Sequence, residues 1–289
     1  MAVALPLLSH SQVRSVLQRL QGVPPWALLS LVLNGLLFIT VIVVLRQVGR
    51  AGNSLPHSNA FAADQYAAIT PFDPDLGIRH SLDYEQWVAL LAAEAEAAVA
   101  IDAPRQNILL GDSLTLWFPG GMLPGRKTWI NQAISGENSG GLRKRLHLLD
   151  NTSPEAVFIM VGINDLIWGG SKADLVYNVR RMIDYLRQTH PEARVVVQSV
   201  LPHGGETATW EGRDRLATIP PDVIREVNDQ LQLVTVETEV DFLNLYPLFV
   251  NGDGYLRPDL STDGLHLNEN GYLVWRTALA LFNETEFRP

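Results

Sequence analysis

The sequence predicts an α/β domain with a parallel sheet covered by helices on both faces, preceded by a single N-terminal transmembrane helix. Two observations carry this. Short apolar runs alternate with amphipathic stretches from about residue 81 onward, the pattern of a parallel sheet whose crossovers are helices. Near the start, Trp26 to Leu45 is twenty residues without a charge, and at ~1.5 Å per residue such a helix spans a hydrocarbon layer of ~30 Å. Charge follows the same division. Residues 1–60 hold four Arg (Arg14, Arg19, Arg46, Arg50) and no acid, leaving 18 basic and 31 acidic side chains in the remaining 229 residues.

In order, residues 1–25 form a short leading segment in which Val13, Val16, Leu17 and Leu20 recur at helical spacing before Gly22 and Pro24-Pro25. Residues 26–45 are the span. A cleaved signal peptide is the alternative, but its apolar region is usually ~7–15 residues, and the best small-residue site, Ala60-Phe61-Ala62, begins fifteen positions after Leu45. The Arg count flanking the span is tied; the N-terminal amine and the short leading segment favour the N-terminus inside and the body on the extracytoplasmic side. Residues 46–80, rich in Gly, Asn, Ser and Pro, read as a flexible linker. The domain then occupies 81–289.

Its first element is a helix over Ser81–Ala100, rich in Ala and Glu. Strands follow at Ile108–Leu110, Trp129–Ile130, Ala156–Val161, Val195–Val200 and Phe242–Leu245. Helices fall at Gly141–Leu149, Ser171–Gln188, Pro221–Glu237 and Asn268–Phe282. Ser171 with Asp174 three positions on, and Pro221, supply start signals.

Composition excludes several chemistries. At 47% hydrophobic and 18% charged, the chain is neither disordered nor collagen-like. An acidic body repels a phosphate backbone, so no nucleic-acid partner is expected. Without cysteine there are no disulfides, thiolate zinc sites, iron–sulfur clusters or Cys nucleophile.

Ligands of parallel α/β sheets bind beyond the carboxyl ends of the strands. There, Gly111-Asp112-Ser113-Leu114 delivers a serine just after a buried strand, a nucleophile's position; Ser113 or Asp112 could equally cap a helix. Asp263-Gly264-Leu265-His266 sets a carboxylate three residues before an imidazole. A single turn can join them, fixing the ring tautomer and leaving the other nitrogen as base. His203, after the fourth strand, is the runner-up base. Acyl transfer also needs donors for a developing oxyanion. Gly136, whose missing side chain lets its N–H approach a substrate, and Asn164, with a neutral amide, are candidates; turn chemistry is the alternative for each.

These blocks together resemble the GDSL or SGNH hydrolases, whose four blocks are a Gly-Asp-Ser-Leu serine, a glycine, an asparagine and an Asp-x-x-His. They stand here in order at Gly111–Leu114, Ser135-Gly136, Gly162–Asp165 and Asp263–His266, within roughly residues 105–280. Ala133 departs from the second block, where many members carry another glycine. The resemblance implies a flavodoxin-like three-layer α/β/α sandwich and ester hydrolysis with no metal or organic cofactor. It implies Ser113 as nucleophile, His266 as base, Asp263 as its orienter, and Gly136, Asn164 and the Ser113 backbone N–H as oxyanion donors.

The expected partners are a small-molecule, lipid or carbohydrate ester, and the membrane through the N-terminal helix. Esterase or lysophospholipase-like cleavage through an acyl-enzyme is the first reading. A cell-envelope or polysaccharide O-acetyl esterase or acetyltransferase is the second, and a catalytically silent, membrane-anchored binding module the third. Trp117, Phe118, Met122, Leu123 and Trp168 either line an apolar rim or pack beneath helices. Asn251-Gly252-Asp253-Gly254 lacks the last acidic ligand of a calcium loop. Asp112 and Asp165 are read as serving locally within their blocks rather than as a glycosidase pair.

Overall fold

In the computed structural model, residues 82–101, 105–125 and 127–285 are described. The predicted leading segment, span and linker lie outside them. Among the described residues, no helix is long and apolar enough to cross a membrane.

The first helix, α1, is Tyr84–Ile101, and β1 is Gln106–Gly111. A four-residue helix α2 (Ser113–Leu116) follows, then β2 (Thr128–Asn131) and α3 (Ser139–Lys144). Next come β3 (Ala156–Met160), α4 (Ile163–Ile167), α5 (Lys172–Thr189) and β4 (Arg194–Gln198). The chain continues through α6 (Arg213–Leu216), α7 (Pro221–Thr238), β5 (Asp241–Leu243), α8 (Tyr246–Phe249) and α9 (Glu269–Thr285). All five strands pair in parallel in the order β2-β1-β3-β4-β5, the doubly wound order of flavodoxin-like sheets.

That order follows from the sequence pattern. β1 and β3 are buried at every position, as central parallel strands are, whereas edge strand β2 is only half-buried. From β2 onward the connections advance in one direction across the sheet, so right-handed crossovers place α3, α5 and α7 on one face. The Ser171 side chain caps α5 by accepting from the Asp174 N–H, and Pro221 opens α7, as predicted. On α9, Phe282 meets Phe158 of β3, and the Trp275 indole N–H donates to Gln198 of β4.

One predicted helix and the ends of three predicted strands differ from expectation. The predicted helix over Gly141–Leu149 is two pieces, α3 and a 3-10 turn at Leu146–Leu149, because Arg145 leaves the helix to pair with buried Glu137. The predicted strands ending at Val161, Val200 and Leu245 each stop earlier, at Met160, Gln198 and Leu243. The apolar residues beyond those ends, Val161, Val200 and Leu245 among them, are buried in the core.

Candidate active site

The carboxyl end of β1 places the serine. Asp112 caps α2 by accepting from the Leu114 N–H at 3.0 Å. The capping alternative therefore falls to Asp112, and the Ser113 hydroxyl bonds to His266 Nε2 at 3.1 Å. A Cβ at Gly111 would overlap the Met160 carbonyl oxygen and the Thr115 hydroxyl. The motif's first position is glycine because the serine turn lies against β3. Gly111→Ala is expected to lower stability by about 2–4 kcal/mol, through a backbone that cannot yield, in chemical denaturation.

His266 arrives on a loop before α9 rather than on a helix. Its Nδ1 bonds Asp263 Oδ2 at 2.8 Å, while Asp263 Oδ1 accepts the N–H groups of Leu265 and His266. Burial pushes the Asp263 carboxyl up, and the hydrogen bonds from the His266 ring and from those two N–H groups outweigh it, so it lies below the usual carboxylate range. Its charge is thereby kept beside the ring. The loop itself is clamped: the Asp263 carbonyl accepts from Thr209 and Trp210, and the Gly264 carbonyl from Gly204. Gly264 has φ +88°, and a side chain there would strike Ala208 Cα.

Gly136 has φ +76° with open space where a Cβ would stand, so conformation rather than crowding requires glycine. Among the described residues, neither its N–H nor that of Ser113 has a hydrogen-bond partner; the latter is one of the donors a helix start leaves unused. Asn164 Nδ2 donates to the Glu137 carbonyl at 3.1 Å and, more weakly, to Asp112 Oδ2 at 3.3 Å. Gly162, with φ +141°, precedes it at the β3–α4 turn.

The structure thus brings Ser113, Asp263 and His266 into one bonded chain and ties Asn164 to the residue following Gly136. His203 stands apart. Its Nε2 bonds the Ile219 carbonyl and its Nδ1 accepts from the Gly205 N–H, so it holds a loop; burial lowers its pKa.

Sequence reasoning missed a second set of polar residues. Glu137 and Arg145 form a buried two-bond ion pair, with Tyr84 Oη also donating to Glu137. Burial raises the Glu137 carboxyl despite these partners. Asp165 is not local to its block, as had been expected: its carboxylate accepts from the Ser139 hydroxyl and N–H, 26 residues away, at 2.5 and 2.8 Å. It thereby ties α4, which carries Asn164, to the start of α3. The only sequence signal was position, since Glu137 and Asp165 each adjoin a candidate donor, Gly136 and Asn164.

Asp112 is the most perturbed carboxyl, raised to about 7 chiefly by burial, with the Leu114 N–H opposing and the Glu137 and Asp165 charges adding. The folded protein therefore binds a proton that the unfolded chain releases near 3.8. This contribution to stability is fully present below the unfolded value and is lost as pH rises through about 7. Thermal midpoints measured between pH 4 and 8 are expected to fall less steeply in Asp112→Asn than in the parent.

The aromatic residues divide. Phe118 is buried against Tyr272 and Trp275, Trp117 lies on the His266 ring, and Trp168 is 60% exposed beneath the Arg215 guanidinium. Met122 and Leu123 pack against the core. Asn251 accepts N–H bonds from Asp253 and Tyr255, as loop chemistry requires.

The human platelet-activating factor acetylhydrolase IB subunit alpha1 is 27% identical over 150 residues, covering 50% of this chain and 58% of its own. An arylesterase of Vibrio mimicus is 28% identical over 127 residues, covering 38% of this chain and 62% of its own. The chain thus spans about three-fifths of each relative's length. A GDSL-like lipase from Bacteroides thetaiotaomicron shares the fold, with a TM-score of 0.59 and 21% identity over 69% of this chain and 98% of that one. Residues 109–274, more than half the sequence and all four blocks, match the GDSL-like lipase/acylhydrolase family, and the chain belongs to that family of ester hydrolases.

Proposed function

We propose that this protein cleaves carboxylic esters by nucleophilic catalysis through an acyl-enzyme. The observation that carries the reading is the continuous chain from Ser113 Oγ to His266 Nε2 at 3.1 Å and from Nδ1 to Asp263 Oδ2 at 2.8 Å. His266 Nε2 takes the Ser113 proton as Oγ attacks the ester carbonyl carbon. The carbonyl oxygen becomes an oxyanion facing the N–H groups of Ser113 and Gly136 and the Asn164 amide. Collapse breaks the bond to the alkoxy group, which leaves with the His266 proton. Water, deprotonated by the same nitrogen, then attacks the acyl-serine, and the acid is released with Ser113 restored.

In this scheme Asn164 exchanges its weaker bond, to Asp112, for the oxyanion, while the bond to the Glu137 carbonyl aims the amide. Asn164→Ala is expected to lower kcat about 10²–10³-fold with little change in KM, measured on a soluble ester. The overall test is pre-steady-state release of p-nitrophenol from a p-nitrophenyl ester series. A burst equal to the enzyme concentration, followed by slower turnover, supports the acyl-enzyme. Linear release through a direct attack of water, with no acyl-serine trapped on quenching, opposes it.

The name of one curated relative, an acetylhydrolase, favours a small acyl group over a long chain, and that of another, an arylesterase, favours an aryl leaving group. The preference for a small acyl group also keeps O-acetyl removal from an envelope polysaccharide as the second reading. Acetate release from an acetylated glycan, compared with release from acetyl and longer phenyl esters, separates the two. We propose further that residues 26–45 anchor the chain, from the hydropathy of that run, with the body on the extracytoplasmic side, from the N-terminal amine and the short leading segment. Protease cleavage of the body in intact cells is the expected result; cleavage only after lysis reverses the topology.

A further inference from the structure

Trp117 lies one turn after the nucleophile, its N–H donating to the Ser113 carbonyl at 3.0 Å. Its indole sits on the His266 ring with centroids 4.2 Å apart and planes at 33°. The residue is still 38% exposed, so it covers the ring from the solvent side rather than filling the core. The base is thus held from three directions: Ser113 at Nε2, Asp263 at Nδ1 and an aromatic face.

We infer that Trp117 is a positioning residue that favours the imidazolium form of His266 as Ser113 gives up its proton. The inference rests on the proposed role of His266 as base. An aromatic face carries negative charge density and attracts a cation within about 6 Å of its centroid. A neutral imidazole gains far less. The interaction therefore strengthens as the proton arrives, and an interaction stronger in the transition state than in the ground state acts on kcat. The tilted ring contact also opposes rotation of the imidazole away from Ser113.

The charged and titratable groups nearby leave this contribution distinct. Asp263, on the ring's own loop, bonds Nδ1 and favours the same charged form. Asp112, at the start of α2, directs its carboxyl to Leu114 and Asn164. Tyr272, on α9, donates to the Leu114 carbonyl. His203, on the segment after β4, is bonded to Ile219 and Gly205. Among the described residues, the His266 ring nitrogens bond only Ser113 and Asp263.

Two other roles for Trp117 make different predictions. If it merely shields the ring, removing it hydrates His266 and favours the charged form, the opposite sign. If it is chiefly a platform for substrate, its loss raises KM and leaves the ring's titration in place.

The test uses the full chain carrying Trp117→Leu or Trp117→Phe. The His266 ring is titrated by NMR with 13C-labelled histidine in a Ser113→Ala background, and kinetics on p-nitrophenyl acetate are run with Ser113 intact. The expected result is a His266 midpoint about half a unit to one unit lower in Trp117→Leu, with Trp117→Phe in between. The acid limb of the pH profile of kcat/KM moves the same way, and kcat falls about 3–10-fold with KM within twofold. A midpoint that stays in place or rises in Trp117→Leu overturns the inference. The NMR readout does not require turnover, so it stands even if ester hydrolysis by this chain fails its own test.

Discussion

Ser113→Ala is expected to lower kcat for a soluble ester by at least about 10⁴-fold while leaving the thermal midpoint nearly unchanged. The two halves have separate causes. Ser113 opens α2, but the cap on that helix is the Asp112 carboxylate, so loss of the hydroxyl removes no helix stabilisation. Among the described residues its one side-chain bond is to His266, which Asp263 and the clamped 261–266 loop hold independently. Without Oγ there is no atom to carry the acyl group, and only the oxyanion donors and substrate binding remain, which in other serine hydrolases leave a small residual rate. Initial rates paired with a thermal melt check both halves. A parent-like rate in a folded variant would place the nucleophile elsewhere.

Asp263→Asn is expected to cost about 10³–10⁴-fold in kcat, more than its near-isosteric change suggests. The Asn oxygen can keep the two backbone bonds that Asp263 Oδ1 accepts from Leu265 and His266, so the turn survives. The amide nitrogen then faces His266 Nδ1 and donates to it. The ring turns to the tautomer with its proton on Nε2, pointing at Ser113, and can no longer accept the hydroxyl proton. Circular dichroism and a melt should match the parent within a few degrees while the rate collapses. A rate within tenfold of the parent at neutral pH would mean that the carboxylate is not what orients the base.

The legible and hidden parts of this molecule differ for a physical reason. Strands β1, β3 and β4 were visible because a central parallel strand is apolar on both faces, as Ile108–Leu110, Ala156–Met160 and Val195–Val197 are. Long helices carried start signals at Ser171 and Pro221. The Ser113 and His266 blocks stood out because a serine after a strand and a carboxylate three residues before an imidazole are local patterns. What remained hidden depends on partners distant in sequence. The Asp165–Ser139 bond spans 26 residues and the Tyr84–Glu137 bond 53, and no periodicity announces either. The break at Arg145 followed from an ion pair with Glu137 eight residues earlier, which overrides helix propensity. Trp117 was seen as a rim or core aromatic; that it lies on the base depends on α2 meeting a loop more than a hundred residues away.

The central claim is that Ser113, activated by His266 and oriented through Asp263, is the atom that attacks. The measurement that bears on it most directly is labelling of the full chain with a fluorophosphonate probe, with the adduct mapped by peptide mass spectrometry. The account predicts a single adduct on Ser113, formed at a rate that drops by orders of magnitude in His266→Ala and Asp263→Asn. An adduct on another residue, or labelling of Ser113 that proceeds equally fast without His266, would contradict it.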